Sequence, residues 1–381
     1  MVKHVNLNHA MRAFDPQGLQ DRHPDRSEPF PKHVVPTEIA VAYGGRRVRK
    51  LVDALRLPAI AGTGSETLSP GERARCMRYL LGLITDQEAK AEAVACEVAA
   101  PLAATLTREN ETAENKTLAC ALLRSLAHSL EGRGSIVAVD ALVAAAALLK
   151  DDTTSVRVAA GEFLASTAKH ADGAAAALRA AEGDVPVLLA AAAVDDAPPA
   201  SAAAKTLCCE TLALLTLTDE GTTRALEAKT VLSMKTVLES VSARTSRPDG
   251  AFLKAAAARC LKNVCQRSAG KIAALEQGAL ASLFPLLRSR DADVRLQATG
   301  ALMCLAVEIE CKSALAKTPA LFDLVALLRD AHASVAENAL RVLQQCAEAP
   351  DARARIRDAL SARDAALVFD ERVVGNCVVS F

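Results

Sequence analysis

The sequence predicts an all-α solenoid, and three observations carry that prediction. Residues 291–330 hold two helical stripes in one unit, the frame of that unit recurs along the chain, and the composition suits close helix stacking. In the unit, Val294, Ala298, Ala301, Leu302 and Leu305 share one helical face, and Leu321, Leu324, Val325 and Leu328 share another. Cys311–Lys317 is long enough for a short helix between them, Thr318 is placed to cap the second stripe, and Pro319 sits where a helix tolerates proline. Neither stripe can be buried within the unit, so copies must stack on both sides. Hydrophobic residues make up 51% of the chain while aromatics make up 3% and Trp is 0, so the apolar excess is alanine and leucine.

The copies are present. With Val294 as anchor, a small or slender residue four on and an apolar residue eight on, the same frame fits Arg73, Asn115, Val156, Ala204, Leu253 and Val335. Most steps are about 42 residues, and those around Ala204 are longer because loops have grown there. The closing stripe recurs at 142–152, 187–196, 231–240 and 280–289, with Pro285 expected to kink the last of these or delay its start. The short helix recurs before Gly278, where glycine can take a left-handed conformation. Three helices per repeat, with a glycine after the short one, resemble the armadillo family over roughly 70–360. That resemblance implies a right-handed superhelical solenoid of about seven repeats, and it carries fold rather than function.

The remaining boundaries follow from composition. Residues 1–35 carry scattered prolines and charges and read as an extended arm; 36–60 reads as a capping helix, 61–71 as a linker, 72–360 as repeats and 361–381 as a non-helical tail. Further linkers are expected at 195–200 and 242–250. The tail is rich in β-prone residues, and it either folds back over the open end of the solenoid or inserts into a partner through Phe369, Val378 and Phe381.

Several function classes fall away. Net charge is +0, so no global field draws in nucleic acid or an anionic membrane. No apolar run reaches membrane length unbroken, and the first residues lack an apolar signal core. The 11 cysteines form no C-x-x-C pair and are read as small buried apolar residues of a reducing compartment, and no metal or cofactor is expected. The four histidines of the arm (His4, His9, His23, His33) do not change that expectation, since nothing in it would bring them together. His128, His170 and His332 are scattered, and no nucleophile, base and orienter share a recognisable spacing, so neither catalysis nor a small-molecule substrate is expected. The Gly62-Thr-Gly64 insert lacks the spacing and the Lys-Ser or Lys-Thr of a phosphate loop.

The candidate site lies ahead of the repeats. Thr37 can cap a helix, Val48, Leu51, Val52 and Leu55 form its stripe, and Arg46, Arg47, Arg49 and Lys50 crowd its other faces. With Tyr43, these residues read as a solenoid cap with a solvated basic face, as a basic patch docking an acidic partner, or as both. Here Pro36, Thr37, Ala40, Ala42, Tyr43, Gly44, Arg46, Lys50 and Leu51 fit a Pro-Thr-x-x-Ala-x-Ala-Tyr-Gly-x-Arg segment followed by Lys-Leu and then armadillo repeats. That pattern resembles the radial spoke armadillo proteins of cilia and flagella. The chain departs from it in its longer arm and its insert at 61–71. The resemblance implies a structural subunit of the axonemal radial spoke stalk or neck, partnered by other spoke proteins and supporting regulation of motility. The competing expectation is a cytoplasmic armadillo adaptor that binds an extended peptide in its concave groove; the tryptophan ladder of nuclear import receptors is excluded by Trp 0.

Overall fold

The computed structural model describes residues 46–56, 68–180, 184–196, 201–244, 248–360, 365 and 368–369. The arm at 1–35, Thr37, Tyr43 and the end of the tail, with Val378 and Phe381, lie outside the described residues.

The described residues form an all-α solenoid of three-helix, armadillo-type repeats, with no strand among them. Helix α1 (Arg46–Arg56) precedes the repeats. Each repeat opens with a long helix: α2 (Pro70–Leu83), α5 (Ala113–Leu126), α8 (Thr154–Ala168), α11 (Ala202–Leu215), α14 (Pro248–Val264), α17 (Ala292–Leu305) and α20 (Ala333–Cys346). A short helix follows: α3 (Gln87–Ala95), α6 (Leu130–Ala138), α9 (Ala171–Arg179), α12 (Asp219–Glu227), α15 (Ser268–Glu276), α18 (Ile309–Lys317) and α21 (Pro350–Ala359). A closing helix completes the unit: α4 (Ala99–Thr107), α7 (Ala141–Ala147), α10 (Asp184–Val194), α13 (Thr230–Arg244), α16 (Ala279–Leu283) and α19 (Ala320–Leu327). Long helices stack on long helices and closing helices on closing helices, so two layers run the length of the rod with one core between them.

The anchor frame is where the core is deepest. Ala119, Ala160, Ala257, Ala298 and Ala339, all four residues after an anchor, are fully buried, because a methyl group there lets neighbouring long helices approach. In the first repeat the frame shifts: Leu80 and Ile84 are buried while Leu81 is half-buried. The first two anchors are polar. Arg73 pairs with Glu111 in the interior, and the Asn115 amide donates to Glu111 Oε1 at 2.7 Å and to the Pro70 carbonyl at 3.0 Å.

Charges pair along the stack. Arg78 meets Glu114 at 2.9 Å and Arg259 meets Asp293 at 3.2 Å, each between successive long helices, while Lys116 meets Asp151 at 2.8 Å and Arg295 meets Asp330 at 2.6 Å, each joining a long helix to the segment after its own closing helix. The exposed pairs, Arg78–Glu114 and Arg259–Asp293, contribute little singly, whereas Lys116–Asp151 and Arg295–Asp330 are more buried.

Local signals behave in four unexpected ways. Helix α2 begins at Pro70, inside the stretch read as linker, because Ser69 and Glu72 form a capping box. Helix α13 continues to Arg244 and α14 begins at Pro248, so both ends of the linker expected at 242–250 are helical. Thr318 does not cap α19: its hydroxyl donates back to the Leu315 carbonyl at 3.5 Å. Pro285 settles as the second residue of a 3-10 turn, Phe284–Arg288, that replaces the end of α16.

Glycine marks the repeat differently from the expectation. The left-handed residue after the short helix recurs as Glu97, Asp140, Lys229 and Gly278, with φ of 52°, 50°, 55° and 71°, so only the last is glycine. The recurrent glycines stand at the start of the short helix instead: Gly132, Gly173, Gly221 and Gly270. A Cβ at any of them would come within 2.2 Å of a carbonyl oxygen from the preceding long helix. The tight turn between long and short helices therefore needs the missing side chain.

Candidate interaction surfaces

Helix α1 covers the open end of the solenoid, packing on α2, α3 and α4. Val48, Val52 and Leu55 are buried and Leu51 is half-buried, so the sequence stripe is the packed face. Arg47, Arg49 and Lys50 are exposed on the other faces. Arg46 opens the helix, and its side chain lies outside the described residues. Arg56 turns the opposite way, donating to Glu97 at 2.8 Å and to the Cys96 carbonyl at 2.5 Å, which ties α1 to the first repeat.

Between α1 and α2 lies a groove of about 600 Å³, lined by Arg47, Lys50, Leu51, Arg78, Tyr79, Gly82 and Leu83. Its lining is mostly apolar and its charged residues are all cations. The structure thus brings Arg47 and Lys50 to one groove and leaves Arg49 on the side of Cys96. Sequence reasoning missed the α2 half, although Arg75, Arg78, Tyr79 and Gly82 stand at helical spacing and all four are exposed.

Phe369 sits at the other end. Val368 and Phe369 are helical rather than extended; Val368 is buried and Phe369 half-buried, with the Arg357 guanidinium 5.6 Å from its ring centroid. This part of the tail folds back on the last repeat.

A second surface was not anticipated. On each closing helix, two outward positions one turn apart are uncharged: Ala100 and Ala104, Val143 and Ala147, Val187 and Ala191, Leu232 and Thr236, Ala281 and Pro285, Phe322 and Ala326. Val187, Leu232 and Phe322 are about half exposed, at 49%, 46% and 50%. Because closing helices stack, equivalent positions align into a ribbon along the rod. The next outward turn returns to charge at Lys150, Glu239, Arg288 and Arg329, which borders the ribbon. A solvent-facing helix surface ordinarily carries charge throughout. The sequence held this signal in the same registers that gave the core, one position past the buried stripe.

Most of the described cysteines serve the core. Of the described ones, Cys96 and Cys304 are half-buried and the others are buried and free. Burial pushes the thiols of Cys120, Cys208, Cys260 and Cys346 up to about 12, which removes the thiolate needed for nucleophilic or metal chemistry at neutral pH.

No protein-family model and no curated protein matches the chain. Solved structures do. An engineered protein from a structural genomics consortium is 21% identical with a TM-score of 0.66, the match covering 84% of this chain and 77% of that one. A second engineered protein from that consortium is 20% identical with a TM-score of 0.55, covering 68% of this chain and 96% of that one. A designed armadillo repeat protein aligns at 17% identity and a TM-score of 0.44, over 78% of this chain and 99% of that one. At these identities the likeness is one of fold alone, and it is the first two that share the helical-solenoid fold of this chain.

Proposed function

We propose that this chain is a non-enzymatic scaffold subunit of the axonemal radial spoke, joining other spoke proteins in the stalk or neck and supporting regulation of ciliary and flagellar motility. The observation that carries the scaffold reading is the uncharged ribbon across the closing helices. Charge depletion along a continuous exposed surface is what a protein partner covers, since interface cores are poor in charge. A rod held along its side by neighbours has a use for such a surface. The spoke assignment is supported by the segment from Pro36 to Leu51, whose residues resemble the radial spoke armadillo proteins and run directly into α1.

The test is fractionation. The tagged protein is expressed in a ciliated cell, axonemes are isolated, and they are washed with detergent and then rising salt. The spoke scaffold stays with the doublets until strong salt or chaotrope and then sediments with a large complex. Release with detergent as a free monomer would leave the peptide-binding adaptor as the better account.

A further inference from the structure

The groove between α1 and α2 points to a second, separate activity: we propose that it captures an acidic protein segment that presents one bulky apolar side chain. The inference goes beyond the spoke reading and does not rest on it, because it concerns one groove at one end of the rod.

Charge complementarity identifies the class of partner. Arg47 and Lys50 on α1 and Arg78 on α2 line this groove. The exposed acids of the same two helices are already engaged: Asp53 lies 3.9 Å from Arg56, and Glu72 is held in the capping box with Ser69. Arg78 reaches Glu114, but that pair is more than half exposed on both sides, so an incoming carboxylate can exchange for it. In a chain of net charge +0, this is a sited excess of positive charge.

The floor identifies the second feature of the ligand. Leu51 and Leu83 line the groove, and Tyr79, one of 2 tyrosines in the chain, stands 64% exposed over it. Gly82 opens the middle. Glycine disfavours a helix interior, yet neither packing nor backbone requires it here: its Cβ would meet nothing within 4 Å and its φ is ordinary. The residue's effect is to leave room for a side chain supplied from outside. An aliphatic floor with one aromatic favours a peptide over single-stranded nucleic acid, which needs successive stacking platforms.

The experiment uses the full chain and a fluorescein-labelled peptide of glutamates flanking one phenylalanine, read by fluorescence anisotropy. Binding is expected, weakening as salt rises from about 50 to 200 mM. Arg47→Glu with Lys50→Glu is expected to weaken it by about tenfold or more. Gly82→Leu, which fills the groove without touching charge, is expected to weaken the phenylalanine probe and leave an all-glutamate probe unchanged. Circular dichroism checks each variant, and Tyr79→Ala replaces Gly82→Leu if the latter does not fold. No binding, equal binding of the two probes, insensitivity to both groove substitutions, or displacement by a single-stranded oligonucleotide at lower concentration than by unlabelled peptide would each overturn the proposal.

Discussion

Arg73, Glu111 and Asn115 form the most polar part of the interior, and their side chains show what one residue can contribute to a solenoid. Arg73 and Asn115 fall on the apolar anchor frame, which made them legible as positions but not as chemistry. Their partner Glu111 lies outside that frame, 38 residues from Arg73, and no helical spacing links the two. Breaking such a pair leaves an uncompensated buried charge. Glu111→Ala is therefore expected to lower stability by about 3–5 kcal/mol, read from urea unfolding, with α2 and α5 losing hydrogen-exchange protection first. Asp330 supplies part of the acid-side pH dependence. Its hydrogen bonds from Arg295 hold the carboxyl below the usual 3.8, against the opposing effect of burial, and the His332 backbone N–H adds a further bond. The depressed value means the stabilisation is full above pH 3.8 and is lost as pH falls through the lower folded value. Asp330→Asn should flatten the acid limb of the stability profile below that pH and cost stability at neutrality, measured by thermal melts across the range.

At the scale of elements, the long helices shared one anchor frame, and that is why their layer could be read from sequence. Turns were harder, because their requirements are steric and set by a neighbouring helix. Gly221 illustrates this: nothing beside it in the sequence reveals that the Leu215 carbonyl would lie 1.8 Å from its Cβ. Gly221→Ala is expected to cost about 1–3 kcal/mol through overpacking, seen as a lower melting temperature. Gly278 is a cleaner backbone case. A Cβ there meets only the Lys235 Nζ at 3.8 Å, so Gly278→Ala tests the left-handed conformation alone, and a loss of about 1 kcal/mol is expected. The reverse change, Lys229→Gly, relieves the same strain, with part of the gain offset by a freer unfolded chain. The glycine expected after the short helix was legible only where it happened to be glycine; Glu97 and Asp140 adopt the same conformation without announcing it. The Ser69–Glu72 capping box was present as a motif and was masked by the glycine-rich run before it.

At the scale of the whole molecule, two continuous layers make the rod and two surfaces give it something to hold. Half of the groove was legible, because α1 displays its cations beside its own stripe. The other half required α2 to pack against it. The ribbon on the closing helices exists only once the repeats are stacked, since a single exposed Val187 or Leu232 is unremarkable on any protein. Leu232→Glu and Phe322→Glu change the ribbon at exposed sites, so each should leave the melting temperature within about 0.5 kcal/mol of equivalent stability while weakening assembly. Phe322 carries one local contact, the Arg355 guanidinium 5.7 Å from its ring centroid, and a glutamate there can pair with the same arginine.

The most direct measurement of the scaffold claim combines those two substitutions in one chain. Ciliated cells lacking the endogenous protein are given the wild type or the Leu232→Glu, Phe322→Glu chain, at matched expression, and axonemes are washed with rising salt. The ribbon account predicts that the wild type resists extraction and that the double variant, folded by circular dichroism, is released at much lower salt. Equal retention of the two would contradict it, and would move the search for the scaffold's contacts to the long-helix layer on the opposite side of the rod.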